Sequence, residues 1–403
     1  MLGPRRADRG PVVAPPRYGG PVTIDAPRSA RALEWAGTMQ GHRTPAGEVC
    51  RAHAERGSTF GPLGGTFDRL RREELEQAVL APGATRAQGA GLRAVEEEPD
   101  PNRTCFERDR DRILHATAFR RLAGKTQVFI FPADHQRTRL THALEVAQVA
   151  VAIARACRLN VALTEAIALG HDCGHGPGGH PSEDALSPYV PGGFDHATWG
   201  ADVVLTPLNL CEETLDGVRN HSWSRPSPAT PEGHVVSWAD RIAYVCHDWE
   251  DAVSAGIVTT DMLPVEVRER CGPDRPQQLG AFIDAVVATA QAHGEIGMDP
   301  ATADALAQFR AANYHHVYMR PDSLEQADAV IAILRALVEH VSERPALMGA
   351  RPIAAGGPAP GSDDARFAAV AYVAGMTDRF ACERAVTLLG WDPARLPRSV
   401  GTT

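Results

Sequence analysis

Lysine is almost absent from this sequence. Among the 41 basic residues of the 403-residue chain, only Lys125 is a lysine, and the others are arginines. The ammonium group of lysine and the planar guanidinium of arginine are not interchangeable at sites with strict geometry. Lys125 is therefore either the chance survivor of a general replacement or a residue at a position that arginine cannot fill.

Long apolar runs are absent too, and no stretch of about 18 apolar residues that could span a membrane occurs. The opening residues MLGPRRADRG are followed by no apolar segment, so we expect no secretory signal. The eight cysteines form no CxxC pair, which argues against a disulfide framework or a zinc knuckle and favours the reducing cytoplasm. The net charge of −9 gives no bulk argument for nucleic-acid binding.

The chain divides by composition into an arm and a helical part. Residues 1–60 are rich in arginine, proline and glycine without periodicity, which predicts a disordered arm. Residues 61–403 are predicted to form a single, mainly helical domain in which residues 85–103 are a loop and strand-like alternation occurs only at 127–131. The expected fold class is all-α.

Apolar periodicity places several of the helices. Leu144 is expected on the apolar face of the helix after residue 140, and Thr164 is expected to cap the next one. Further helices are predicted in residues 107–123 and in parts of 276–292, 301–312, 323–341 and 364–389.

Four residues form a candidate metal site. His171 and Asp172 are adjacent at the end of a predicted helix, His142 lies near the start of an earlier helix, and Asp240 lies on a later one. Two imidazoles and two carboxylates form a mixed nitrogen and oxygen ligand set that suits Mn, Fe, Zn or similar ions. A single His-Asp pair is a weak signal, but the order H…HD…D on helices is stronger.

A glycine-rich loop follows this pair and contains more titratable residues. In GHDCGHGPGGHPSED, His175, His180 and Glu183 lie within a dozen residues of His171. His180 and Glu183 are three residues apart, so one helical turn would bring them together. A histidine oriented by a carboxylate is a common general acid or base, and we predict this role for the pair.

A third group of candidates lies on the helix of Asp240. Tyr244 and Asp248 follow it at i+4 and i+8, hence on one face, where a phenol and a carboxylate suit a sugar. Arg241, and Arg139 three residues before His142, could bind phosphate groups. Taken singly, each arginine is better explained as a surface residue or as a member of a structural ion pair.

Several blocks of sequence together resemble the HD-domain deoxynucleoside triphosphate triphosphohydrolases, the bacterial dGTPase and dGTPase-like group. The blocks span about 107–380 and are RDRDRILHATAFRRLAGKTQVF, RTRLTHALEVAQVA, AIALGHDCGHGPGGHPSED, VVSWADRIAYVCHDWEDAV and AYVAGMTDRFA. The resemblance implies an HD core at about 107–260, a helical part at 261–403, and cleavage of a dNTP, with dGTP favoured, to a deoxynucleoside and triphosphate.

The resemblance also implies roles for individual residues. His142, His171, Asp172 and Asp240 resemble the ligands of a divalent metal, Mn or Mg first, with Fe, Co, Ni or Zn as alternatives. His180 resembles the catalytic histidine and Glu183 its acidic partner, and His175 is counted with them as a catalytic candidate. The implied substrate contacts are His175 and His196 near the phosphates, Arg139 and Arg241 on the triphosphate, and Gln127, Tyr244 and Asp248 around the deoxyribose. Lys125 stands two residues before Gln127, so phosphate contact and a role in the pocket wall are both open.

The sequence departs from the family at Gly178–Gly179, where relatives often have Pro-Phe, and at Pro181, which bears on the placement of His180. Two other functions remain open: another HD phosphohydrolase acting on monophosphates or phosphodiesters, and a nucleotide-sensing regulator that binds nucleic acid. Nine arginines against five acidic residues in 1–56 favour the latter. Relatives are often hexamers and some bind single-stranded nucleic acid, so we expect a homo-oligomer. Base preference and an activating dNTP site are left open.

Overall fold

The computed structural model describes residues 32–33, 41–45, 47–55, 57, 61, 64–133, 135–349 and 357–398. The chain separates into two units, Met1–Thr66 and Phe67–Thr403. The described part of the first unit contains a small antiparallel sheet of β1 (His42–Arg43) and β2 (Cys50–Arg51). The predicted disordered arm at 1–60 lies largely outside the described residues, and the part within them includes this hairpin.

The second unit is built from helices, which confirms the predicted all-α class. Its described helices are α1 (Arg69–Val79), α2 (Cys105–His115), α3 (Thr117–Arg121), α4 (Arg139–Ala156), α5 (Val161–Gly170), α6 (Pro181–Leu186), α7 (His196–Trp199), α8 (Glu212–Asn220), α9 (Pro231–Ser254), α10 (Val265–Cys271), α11 (Arg275–His293), α12 (Pro300–Asn313), α13 (Pro321–Ser342), α14 (Asp363–Ala374) and α15 (Asp378–Leu389). The helices predicted at 276–292, 301–312 and 323–341 are confirmed as α11, α12 and α13. No described helix is long and apolar enough to cross a membrane.

Side-chain caps set where the central helices begin. Thr138 caps α4 by accepting from the backbone N–H of Thr141, and Asn160 caps α5 by accepting from the N–H of Leu163. The prediction that Thr164 caps α5 is wrong. Thr164 lies one turn inside the helix, where its hydroxyl donates to the carbonyl of Asn160, a back-bond that lets threonine occupy a helix interior.

Three further predictions of local structure need correction. The helix expected at 107–123 is interrupted at Ala116, whose ψ of 143° is extended. Helix was expected in parts of 364–389, and α14 and α15 confirm this. Leu144 is 47% exposed, because α4 buries the face that carries Val146, Ala150 and Ile153 instead. Residues 127–131 form no strand, and the nearest pairing is an isolated bridge between Thr126 and Thr138.

The core consists of two apolar clusters. The larger is built around α2, α4, α5 and α9, and the smaller around α13, α14 and α15. Helices α5 and α8 approach closely at Gly217, where a Cβ atom would lie 2.4 Å from the side chain of Ile167. The packing of α4, α5 and α9 in the larger cluster brings the start of α4, the end of α5 and the middle of α9 to one place.

Candidate active site

The four predicted metal ligands converge at the meeting point of α4, α5 and α9. His142 Nε2 lies 3.1 Å from Asp240 Oδ1 and 3.9 Å from Asp172 Oδ2. His171 Nε2 lies 3.5 Å from Asp172 Oδ1 and 3.7 Å from Asp240 Oδ1. The nitrogen and oxygen atoms of the set therefore face a common point from α4, from α9 and from the segment that follows α5.

Hydrogen bonding behind the cluster prepares these atoms to bind a cation. Nδ1 of His171 donates to the carbonyl of Ala168 at 2.7 Å, which leaves a lone pair on Nε2. That Nε2 is buried and has no hydrogen-bond partner among the described residues. One ligand atom each from His142, His171 and Asp240 lie within 4.8 Å of one another. The donor set fits a divalent metal ion that prefers mixed nitrogen and oxygen ligands.

The electrostatics of the cluster are those of a site made for a cation. Burial alone would raise the pKa of Asp240, but the neighbouring imidazoles of His142 and His171 hold it well below its usual range. Burial likewise opposes charge on His142, yet the hydrogen bond with Asp240 and the charge of Asp172 raise its pKa. The cluster therefore concentrates negative charge in a buried place.

Arg139 and His175 hold Asp172 from two sides. Arg139 Nη1 donates to Asp172 Oδ2 at 2.6 Å, and His175 Nε2 lies 3.1 Å from Asp172 Oδ1. Burial and the charge of Arg139 lower the pKa of His175 well below its usual value, which keeps the ring neutral. Nε and Nη2 of Arg139 are buried without a partner among the described residues, so two donors remain for a ligand in the cavity.

The carboxylate of Glu183 bonds to His196 and forms no hydrogen bond with His180 among the described residues. The helical turn expected between His180 and Glu183 is present at the start of α6, but Glu183 Oε1 accepts from His196 Nδ1 and from its backbone N–H. The ring of His196 stacks on His175, with the centroids 3.7 Å apart. The side chain of His180 lies in the cavity lining and is exposed to the cavity. The surrounding walls still remove much of the bulk solvent around the ring, and this burial, together with the positive charge of Arg139, lowers its pKa to about 4.

His221 belongs to the cluster but was not identified from the sequence. Its Nδ1 donates to the carbonyl of Val218, and its Nε2 lies 3.2 Å from Nε2 of His196. It also has a nitrogen within 4.8 Å of ligand atoms on His171 and Asp172. No local motif marks this residue, which follows the C-terminal end of α8. The signal in the sequence that could have found it is the uneven distribution of histidine, since ten of the 16 histidines lie between His115 and His247.

The cluster opens into a cavity of about 850 Å³, a size that suits a nucleotide. Of the predicted site residues, those that line it are Gln127, Arg139, His142, Asp172, His175, His180, His196, Asp240, Arg241, Tyr244 and Asp248. His171 and Glu183 stand behind this surface, as a buried ligand candidate and as the partner of His196.

Lys125 is not part of the cavity lining. It is 3% exposed, and its ammonium donates to the backbone carbonyls of His175 and of Ala374, the latter at 3.0 Å. Burial lowers its pKa to about 8, although Asp378 favours the charged form. These bonds join the glycine-rich loop to the end of α14. The contacts therefore favour a role in the pocket wall over direct contact with the phosphates.

Further polar residues complete the wall beyond the metal cluster. Tyr318 donates its hydroxyl to Asp248, and Arg310 Nε donates to the hydroxyl of Tyr244 at 2.8 Å. Burial raises the pKa of Asp248 to about 7. Arg310 and Tyr318 were not identified from the sequence. Arg310, Tyr314 and Tyr318 stand at i, i+4 and i+8, and the periodicity that grouped Asp240 with its neighbours could have found them.

Arg241 is stacked between aromatic rings at the cavity wall. Its guanidinium lies 3.9 Å from the ring centroid of Trp223 and 5.6 Å from that of Tyr244. It forms no ion pair with any described carboxylate, so its charge is available to a ligand in the cavity.

Comparisons with known proteins agree with this arrangement. The HD domain family matches residues 139–245, which contain all four metal-ligand candidates, and the phosphohydrolase-associated domain family matches residues 296–386. A solved hypothetical protein from Aquifex aeolicus is 18% identical with a TM-score of 0.38, over 57% of this chain and 60% of that one. So low a TM-score supports no conclusion about the fold or function of this chain.

Three curated relatives are much closer in sequence. A "deoxyguanosinetriphosphate triphosphohydrolase-like protein" of Caldanaerobacter subterraneus is 40% identical over 77% of this chain and 92% of its own length. One from Desulfatibacillum aliphaticivorans is 42% identical over 63% of this chain and 78% of its own length. One from Deinococcus radiodurans is 35% identical over 80% of this chain and 100% of its own length. The chain therefore belongs to the family of deoxyguanosinetriphosphate triphosphohydrolase-like proteins, a group of HD-domain hydrolases.

Proposed function

We propose that this protein hydrolyses a deoxynucleoside triphosphate, with dGTP the favoured substrate, to a deoxynucleoside and inorganic triphosphate. The observation that carries the proposal is the convergence of His142, His171, Asp172 and Asp240 beside an 850 Å³ cavity. The same cavity is lined by Arg139 and Arg241. The names of the relatives support the substrate class.

The four ligand candidates would hold one divalent cation, with Mn or Mg expected first and Fe, Co, Ni or Zn as alternatives. Such an ion supplies Lewis-acid catalysis and lowers the pKa of water. The lone pair of His171 Nε2, fixed by the bond from Nδ1 to Ala168, fits this assignment. Arg139, through its bond to Asp172, keeps that carboxylate in one orientation.

The side chains around the cluster would bind the triphosphate and the sugar. Arg139 has two unpaired donors, and Arg241 offers a charge that no described carboxylate cancels, so both suit phosphate oxygens. His175 and His196, which stack on each other beside Asp172, would lie near the phosphates. Gln127, whose buried Oε1 has no hydrogen-bond partner in the described part of the chain, would contact the deoxyribose together with Tyr244 and Asp248.

His180 would protonate the departing 5′-oxygen of the nucleoside. Its pKa of about 4 is too low for this role, but a bound triphosphate would raise it by placing negative charge beside the ring. The carboxylate of Glu183 acts on His180 through its charge, while its hydrogen bond orients His196. A general acid of this kind contributes about 10²–10⁴-fold to the rate.

Several partners and properties are proposed on the resemblance alone. They are a cytoplasmic location, a homo-oligomer with a hexamer favoured, an activating dNTP, and binding of single-stranded nucleic acid. Light scattering of the purified protein would give the oligomeric state. Nucleic-acid binding that weakens steeply with salt and is lost on removal of residues 1–60 would assign it to the arm.

The test is to incubate the purified protein with each of the four dNTPs and with GTP, in Mn²⁺ or Mg²⁺, and to identify the phosphate product. Triphosphate from a dNTP is expected, whereas pyrophosphate or monophosphate would indicate another HD phosphohydrolase. Asp240→Ala should lose both metal and activity, and His180→Ala should keep metal and lose activity. Near-full turnover by His180→Ala would contradict the acid role.

A further inference from the structure

The stacked pair of Trp223 and Arg241 has a geometry that the proposed reaction does not by itself require. The indole is 49% exposed and, like Arg241, lines the cavity. The 3.9 Å between the guanidinium carbon and the ring centroid is well within the range of a cation–π contact. The ring therefore lies against a cation that is open to the substrate space.

The indole is held firmly in this place. Trp223 Nε1 donates to the backbone carbonyl of Ser237 at 3.1 Å, one turn before Arg241 on α9. The hydroxyl of Ser237 donates to the carbonyl of His221, and Trp238 packs edge-on against the indole, with centroids 4.9 Å apart. Two contacts thus fix the ring relative to the helix that carries the guanidinium, and the bond of Ser237 to His221 ties the preceding backbone to the same helix.

Arg241 has little else to hold its side chain. Within the part of the chain that the structure describes, no hydrogen bond or ion pair from its guanidinium is found, and its contacts are the faces of Trp223 and Tyr244. Arg139 differs, because its ion pair with Asp172 fixes it but offsets its charge. An aromatic face orients a guanidinium and leaves both its charge and its N–H groups free.

We propose that Trp223 is a positioning residue that holds Arg241 ready for the phosphate chain. The inference rests on the proposed function, in which Arg241 binds the triphosphate. A free arginine side chain loses rotamer entropy when it binds an anion, whereas one already stacked in its bound orientation loses less. Removal of the indole should therefore weaken phosphate binding only through Arg241.

The experiment is a double-mutant cycle read by calorimetric titration of inorganic tripolyphosphate into the full-length protein in excess Mg²⁺. Trp223→Leu, which keeps apolar volume but lacks a π face, should weaken binding about 3–10-fold. Trp223→Phe should weaken it less than about 2-fold, because a smaller ring remains. In an Arg241→Ala background, Trp223→Leu should weaken tripolyphosphate binding further by less than about 2-fold.

Phe380→Leu is the matched control. Phe380 also stacks on an arginine, Arg384 at 4.9 Å, but neither residue lines the cavity. This variant should bind tripolyphosphate as the unsubstituted protein does. Melting temperatures of all variants would show that the fold is kept. If the leucine variant unfolds, Trp223→Met, which also keeps apolar volume but lacks a π face, replaces it in the cycle.

Two results would overturn the inference: unchanged affinity in a folded Trp223→Leu protein, or an equal loss with and without Arg241. Failure of the unsubstituted protein to bind tripolyphosphate would overturn it as well. The hydrolysis assay is separate, since a protein that hydrolyses no dNTP could still show the coupling. A protein that hydrolyses dGTP without the coupling would leave the proposed function standing.

Discussion

Asp248 allows a sharp prediction about the cost of the site to the stability of the fold. The carboxyl is 3% exposed, accepts from the hydroxyl of Tyr318, and has a buried Oδ1 without a partner among the described residues. Burial raises its pKa to about 7 from an ordinary value of 3.8. In Asp248→Asn the amide oxygen can still accept the hydrogen bond from the hydroxyl of Tyr318, and the buried negative charge is removed. We therefore expect the variant to be more stable than the unsubstituted protein at neutral pH.

The sign and size follow from linkage. The pKa of this carboxyl is higher in the folded state, so ionisation costs nothing well below pH 3.8 and its full cost is present above pH 7. The difference in pKa corresponds to about 4 kcal/mol. The gain in the free energy of unfolding of Asp248→Asn should rise from about 1–2 kcal/mol at pH 5 to about 4 kcal/mol at pH 8.

Urea unfolding at several pH values, with equal metal in every sample, measures this gain. Asp109→Asn is the control, because Asp109 is fully buried but forms an ion pair with Arg93 at 2.7 Å and accepts from the backbone N–H of Cys211. That substitution should destabilise by about 3–5 kcal/mol. A gain for Asp248→Asn that does not change with pH, or a loss at pH 8, would refute the reasoning. Activity should fall in the same variant, as expected where a site trades stability for function.

Two further predictions concern Lys125 and the metal. Lys125→Met should lower the free energy of unfolding by about 2–5 kcal/mol in urea titrations, because two buried carbonyls lose their donor. The control Arg121→Met removes an exposed donor to the carbonyl of Gly375 and should cost about 0.5 kcal/mol. Equal effects of the two substitutions would contradict the role of Lys125 in the pocket wall. A divalent ion at 100 times its Kd should stabilise the protein by about 2.7 kcal/mol. EDTA should therefore lower the melting temperature of the unsubstituted protein and leave that of Asp240→Ala unchanged. An equal drop in the two proteins would argue against a metal at this site.

The sequence predicted the helices of the candidate site well because their signals are local. His171–Asp172 at the end of α5 and the alignment of Asp240, Tyr244 and Asp248 on α9 needed only helical periodicity. The bond of Glu183 to His196 could not be foreseen, because it depends on how the chain returns after α6. For Lys125 the deciding contact is with Ala374, 249 residues away, on a helix whose packing no local pattern reports.

The overall charge of −9 is no obstacle to a polyanionic substrate, because the field at the cavity wall is set by local pairing. Many arginines of this chain are neutralised by carboxylates, as Arg137 is by Glu145 and Asp251. Arg241 and Arg310 form no such pair with any described carboxylate; both line the cavity and are held by aromatic rings instead. Acidic residues elsewhere are screened over about 8 Å at physiological salt. Two guanidinium groups inside the cavity, without a carboxylate partner among the described residues, therefore act on its contents more strongly than the distant surface does.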